Sequence, residues 1–145
     1  MNKRRRTAPA EGAIVFSLLG TAHALEARLE AAVGKVGLSL AKAGVLKCLA
    51  DAPEPVALSD LAQRLQCVRS NMTQLVDRLE QDGLVRRRAD SADRRSVRAE
   101  LTPAGERAHA AATEALDQEQ RTIVAGLGSA PAAGLKTALR LLGGK

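Results

Sequence analysis

Residues 68–102, VRSNMTQLVDRLEQDGLVRRRADSADRRSVRAELT, decide the fold. From about Arg69 to Asp82, Met72, Leu75, Val76 and Leu79 share one helical face, which is predicted to be buried. Ser70, Asn71, Thr73, Gln74, Asp77 and Arg78 occupy the other. Gly83 offers the left-handed stop that ends helices. Two short strands follow, at about Leu84–Arg88 and Ser96–Leu101, with Asp93-Arg94-Arg95 at the tip between them. In the second strand Val97, Ala99 and Leu101 alternate with Arg98 and Glu100, so one face packs and the other meets solvent. A polar helix end beside an arginine-rich hairpin suits a DNA major groove and the backbone next to it.

Upstream, Ser39 is positioned to cap a helix LAKAGVLKCLAD with Val45, Leu46 and Leu49 facing inward. Pro53 and Pro55 mark a loop, and Val56-Ala57-Leu58 reads as a one-rung strand joining the hairpin. Ser59 then reads as the cap of DLAQRLQ, where Leu61, Ala62 and Leu65 repeat at helical spacing. Three helices followed by a hairpin spell a winged helix-turn-helix over residues 38–102. A first helix is predicted from about Ala10 to Val33, ending in the Gly34–Gly37 region. Gly20 lies inside it, at a helix cost of ~1 kcal/mol relative to alanine. Thr102-Pro103 starts a helix that runs to about Ala125. A turn at Gly126–Ala130 leads to Pro131 and a last helix whose apolar positions are Leu135, Ala138, Leu139 and Leu142.

The expected fold is therefore mainly α with a small β-hairpin wing, in a single domain at residues 10–145 preceded by a basic, disordered arm at 1–9. The outer helices, at 10–36 and 103–145, carry apolar stripes too extensive for the small central unit to cover. A second copy of the chain covers them most economically, which predicts a homodimer; the rival is a monomeric helical bundle.

Of the net charge of +6, the two basic clusters account for more than the whole. Lys3 to Arg6 supply four positive charges, and residues 84–98 set six arginines against Asp90 and Asp93. The remainder is slightly acidic, so the pattern points to a polyanionic partner rather than a generally sticky surface. Cys48 and Cys67 form no CxxC pair, and His23 and His109 lack metal-ligand spacing, so neither a metal nor a cofactor is expected. No nucleophile–base pair, phosphate-cradling glycine loop or metal cluster suggests an enzyme.

The start of the chain imitates a secretory signal: KRRR, then AIVFSLL, then Ala22-His23-Ala24. Pro9 and Glu11 interrupt that pattern, and the apolar spacing continues past it through Val15, Leu18, Ala22, Leu25, Leu29, Ala32 and Val36. That regular seam favours a helix of the mature protein. No apolar run is long enough to span a bilayer, and the cysteine usage fits a reducing cytoplasm.

The arrangement resembles the multiple antibiotic resistance regulator (MarR) family of bacterial winged-helix transcription factors. The strongest match is LVDRLEQDGLVRRRADSADRRSVRAELTPAG, residues 75–105. Within it stand DRLE at Asp77–Glu80, GLV at Gly83–Val85, DRR at Asp93–Arg95 and LTPAG at Leu101–Gly105. LSLAKAGVLKCL and LSDLAQRLQ sit where the family places the two preceding helices. The resemblance implies a homodimeric DNA-binding regulator, usually a repressor, often released by a small ligand or by oxidation. One departure stands out. Val68 occupies the position where a Ser, Thr or Asp cap is usual, and valine cannot accept bonds from the first-turn amides. Ser70 or a DNA phosphate is left to take that role.

The recognition helix reads bases with its N-terminal residues, which here are Arg69, Ser70, Asn71 and Gln74. Thr73 and Arg78 are assigned to phosphate, as are some of Arg86, Arg87, Arg88 and Arg98. At the wing tip stand Arg94 and Arg95, and the resemblance implies Arg95 in the minor groove, oriented by Asp93. The expected partner is a pseudo-palindromic duplex with half-sites about one helical turn apart.

A small-molecule effector is left open, because one Phe and no Trp or Tyr give ring stacking little to work with. His23 and His109 are candidate lining residues, weighed against structural roles. Cys48 reads as core. Cys67, near Arg64 and Arg69, reads as core filler, with a redox-responsive regulator as the alternative. A winged-helix protein-interaction module without an operator is the other alternative.

Overall fold

The computed structural model describes residues 11–90 and 96–143. Asp93, Arg94 and Arg95, and the basic arm at residues 1–9, lie outside them. The elements run α1 (Glu11–Gly34), α2 (Leu40–Ala50), β1 (Val56–Ala57), α3 (Leu58–Arg64), α4 (Arg69–Gln81), β2 (Val85–Ala89), β3 (Val97–Leu101), α5 (Pro103–Leu127) and α6 (Ser129–Leu142). This is a mainly helical chain with a three-stranded antiparallel sheet in the order β1-β3-β2. Register pairs Val85 with Leu101 and Ala89 with Val97 along the hairpin, and Val56 with Ala99 at the inner edge.

Local chemistry explains most boundaries. Ser39 accepts the amide of Lys42 at 3.2 Å, as expected of a cap. A second acceptor comes from α1, where the Glu30 carboxylate takes the Leu40 amide at 2.9 Å and places negative charge at the positive helix end. Gly37, at φ 78°, and Gly83, at φ 72°, close α1 and α4. In each case the next amide reaches back five residues, from Leu38 to Val33 and from Leu84 to Leu79. The turn between α3 and α4 has the same wiring, from Cys67 to Ala62, but its left-handed residue is Gln66 at φ 49°. A non-glycine side chain there carries strain of ~1 kcal/mol.

Several boundaries differ from the sequence expectation. The cap of α3 is Ala57, not Ser59, and it makes no side-chain bond. Pairing of Val56 and Ala57 with β3 sets the chain direction, so the helix begins directly from the strand at Leu58. The α5 helix continues to Leu127, and α6 begins at Ser129 from Gly128, leaving Pro131 inside its first turn rather than ahead of it. Thr102 caps α5 as expected, accepting from Gly105 at 3.0 Å.

The core belongs to the central unit. Val45, Leu46, Leu61, Met72, Val76, Leu79, Val85 and Ala99 are almost fully buried. Leu75, expected in that core, is half-buried at its edge, as are Cys48 and Cys67. Val33 of α1 and Ala112 of α5 complete the core from the outer helices. Salt bridges stitch elements together: Arg28 of α1 to Glu119 of α5, and Lys42 of α2 to Asp82 at the end of α4, each at 2.6 Å. Of the predicted α1 seam, Ala32 is buried and Leu18, Leu25 and Leu29 are half-buried, whereas Val15, Ala22 and Val36 stay exposed. The outer surface remains strongly apolar. Phe16 and Leu141 are each 76% exposed, Leu142 67%, and α6 buries no residue at all.

Candidate nucleic-acid interface

The α4 helix presents its two faces as its sequence dictates. Met72, Val76 and Leu79 go inward, which turns Arg69, Ser70, Asn71, Thr73, Gln74 and Arg78 outward, all exposed. Val68 caps the helix without a side-chain bond, and Ser70 does not take over that role. First-turn amides are therefore open to an outside acceptor. Thr73 turns its hydroxyl back to the Arg69 carbonyl at 3.1 Å. No ion pair engages Arg69 or Arg78 among the described residues. Where α3, α4 and the hairpin meet lies a cleft of about 400 Å³, lined by Ser59, Arg69, Thr73, Arg87 and Ser96.

The hairpin arginines sort by strand parity. Arg86, Arg88 and Arg98 share one face with Glu100, whereas Arg87 shares the other with buried Val85. Glu100 pairs with both Arg86 and Arg88, the latter at 2.6 Å. Arg98 pairs with Asp90 at 2.8 Å and donates to the Pro55 carbonyl at 3.0 Å. Arg86, expected to reach phosphate, thus lies on the hairpin face turned away from α4 and is held by a carboxylate, with its side chain 56% exposed.

Burial pushes the Glu100 carboxyl up, but the Arg86 hydrogen bond and the charges of Arg86 and Arg88 outweigh it and hold the group below its ordinary range. A carboxyl depressed by folding stabilises above its unfolded pKa, and that contribution disappears as pH falls through the folded value. Acidification below the usual carboxylate range, about 4.3 for Glu, should therefore loosen the hairpin. An NMR pH titration of the β2 and β3 amides checks this; hairpin signals that stay unchanged through protonation of Glu100 would disprove it.

Sequence reasoning missed the residue that joins hairpin to helix. Arg87 ion-pairs with Asp77 and, at 3.5 Å, with Glu80. It also donates to the Thr73 carbonyl at 3.3 Å, and its own amide donates to Glu80 at 3.2 Å. The available signal was parity: Arg87 stands between Val85 and Ala89 on the packing face, opposite two carboxylates three residues apart on α4.

Elsewhere, His23 is exposed on α1 beside Glu26 at 3.5 Å. His109 lines a cavity of about 420 Å³ between the end of α2, β3 and α5, together with Glu54, Glu100 and Glu106. The Cys67 thiol donates to the Val68 carbonyl at 3.5 Å. No described helix is long and apolar enough to cross a membrane. Among the described residues no cluster of three or more His, Cys, Asp or Glu could hold a metal.

Comparison with known proteins places this geometry. Residues 38–97 match the model of the MarR family. No curated protein matches the sequence. A transcriptional regulator (MarR family) from Rhodococcus sp. RHA1 superposes with a TM-score of 0.78 at 24% identity, covering 93% of this chain and 96% of the other. CouR from Rhodococcus jostii RHA1, solved bound to p-coumaroyl-CoA, gives 0.74 at 25% identity, with 89% and 90% covered. The M. tuberculosis transcriptional regulator MosR, solved in complex with DNA, gives 0.68 at 26% identity, with 86% and 90% covered.

Proposed function

We propose, from the match of residues 38–97 to the MarR family model, that this chain is a regulator of that family: a homodimeric, sequence-specific repressor released by a small molecule. The observation that carries the DNA reading is the outward-facing front of α4. Arg69, Asn71 and Gln74 are exposed there, the first-turn amides lack a protein cap, and the hairpin is bonded to the same helix. Asn and Gln amides suit adenine, Arg suits guanine, and uncapped amides suit phosphate. In this reading Ser70 stands with the base-reading residues, Thr73 and Arg78 serve the backbone, and Arg95, beside Arg94 at the wing tip and oriented by Asp93, enters the adjacent minor groove. Arg86 contributes charge at the edge, because Glu100 already holds it.

The DNA complex of MosR supports the partner, and the p-coumaroyl-CoA complex of CouR supports a releasing ligand. A cytoplasmic setting follows from that role. Selection of bound duplexes from a random library, followed by titration across salt, tests the reading. Sequence-preferring, salt-sensitive binding is expected; equal affinity for all duplexes refutes it. Arg95→Ala should weaken binding to the selected duplex by at least ~1 kcal/mol. Unchanged affinity at physiological salt would remove the wing tip from the interface.

A further inference from the structure

We propose that Arg87 is a positioning residue that fixes the angle between the recognition helix and the wing, so that both reach one duplex in register. This rests on the DNA-binding reading above and deepens it. The guanidinium bridges three groups spread along α4: the Asp77 and Glu80 carboxylates and the Thr73 carbonyl. The Arg87 main-chain amide adds a fourth bond, to Glu80. One β2 residue is thus pinned both by its backbone and by its side chain to two successive turns of the helix. Its side chain is only 28% exposed, and its Nε is buried without a partner. A guanidinium placed to grip phosphate leaves its donors outward; this one aims them at the protein.

Among the other described wing arginines, Arg86 and Arg88 pair with Glu100, and Arg98 with Asp90 and the Pro55 carbonyl, so none of these bonds reaches α4. Between α4 and the hairpin, Arg87 supplies the polar link, over the apolar contact of Val85 with the core. The planar fork can reach several acceptors at once, which a lysine ammonium on its flexible stem cannot reproduce.

The test uses the full-length chain and two duplexes: one selected by the wild type from a random library, and its scrambled version. Arg87→Met and Arg87→Lys should each lower the selected-to-scrambled affinity ratio, by about tenfold for Met and less for Lys. The slope of affinity against salt should stay unchanged, because Arg87 is neutralised inside the protein. Removing Arg87 also exposes two carboxylates, so a third variant, Arg87→Met with Asp77→Asn and Glu80→Gln, separates charge from geometry. It should remain impaired in the ratio.

A ratio restored by the triple variant would mean repulsion rather than positioning and would overturn the proposal. So would a slope that falls by about one with the ratio intact, the mark of a phosphate contact. Melting curves accompany each variant; if Arg87→Met unfolds, Arg87→Lys carries the test, and a folded Arg87→Lys with wild-type ratio overturns it. A wild type with no preference between duplexes refutes the DNA reading itself, whereas a wild-type preference kept by every variant refutes only the role of Arg87.

Discussion

Gly105→Ala should lower the melting temperature by roughly 10 °C, a loss of about 3 kcal/mol. A Cβ at this position would lie 1.9 Å from the carbonyl oxygen of Leu84 and 3.0 Å from its carbon. The obstacle is backbone, so no rotamer change relieves it. Nor can the backbone retreat cheaply, because the same Leu84 carbonyl accepts the Thr102 amide at 3.1 Å. Thr102 is itself tied to the Gly83 carbonyl at 2.6 Å while it caps α5. The first turn of α5 therefore rests directly on the chain leaving the recognition helix, and only glycine permits that approach. Circular dichroism melts of the variant at matched concentration decide the matter; a shift within about 2 °C would mean that the junction yields and that the close approach is not a constraint.

Leu139→Glu should have the largest effect on DNA binding. Leu139 is 52% exposed, and Leu135 and Leu142 beside it on α6 are 39% and 67% exposed. Val124 and Leu127 at the end of α5 extend the apolar surface. On the proposed homodimer this surface lies between the two copies, where a carboxylate has no partner and its desolvation opposes association. Separated protomers bind half-sites one at a time, without the effective concentration that joining provides. The variant should run as a monomer in light scattering at micromolar concentration, with operator affinity down by two orders of magnitude or more. A variant that remains a dimer would place the interface elsewhere; a variant that is monomeric and still binds the full site normally would remove the need for pairing.

The central unit was legible in the sequence because its signals are local. Met72, Val76 and Leu79 stand at helical spacing and are buried. Gly83 and the caps at Ser39 and Thr102 act through bonds spanning a few residues. What escaped depends on segments distant in sequence. Ser59 has the chemistry of a cap, but pairing of β1 with β3, some forty residues on, starts the helix from Ala57 instead. The clash that demands Gly105 involves Leu84, and the bonds of Arg87 cross from strand to helix. Gly20, a cost to α1, has nothing within 4 Å of where a Cβ would stand, so the protomer alone gives no reason for it. The interface residues divide along the same line. The exposed front of α4 follows from periodicity, whereas the pairing of Arg86 with Glu100 needed the register of the hairpin.

One boundary carries a mechanical meaning. Ala57 ends β1 and, with no intervening loop, is also the residue from which α3 departs. The strand is bolted to β3, and β3 runs through Thr102 straight into the long α5. There is no slack along this route. A tilt of α5 must drag the sheet, and the sheet must swing α3, whose far end sets the tight turn into α4. On the proposed function, the outer helices would form the handle of a lever and the recognition helix its blade, so that a push far from the DNA would be carried along this route to it.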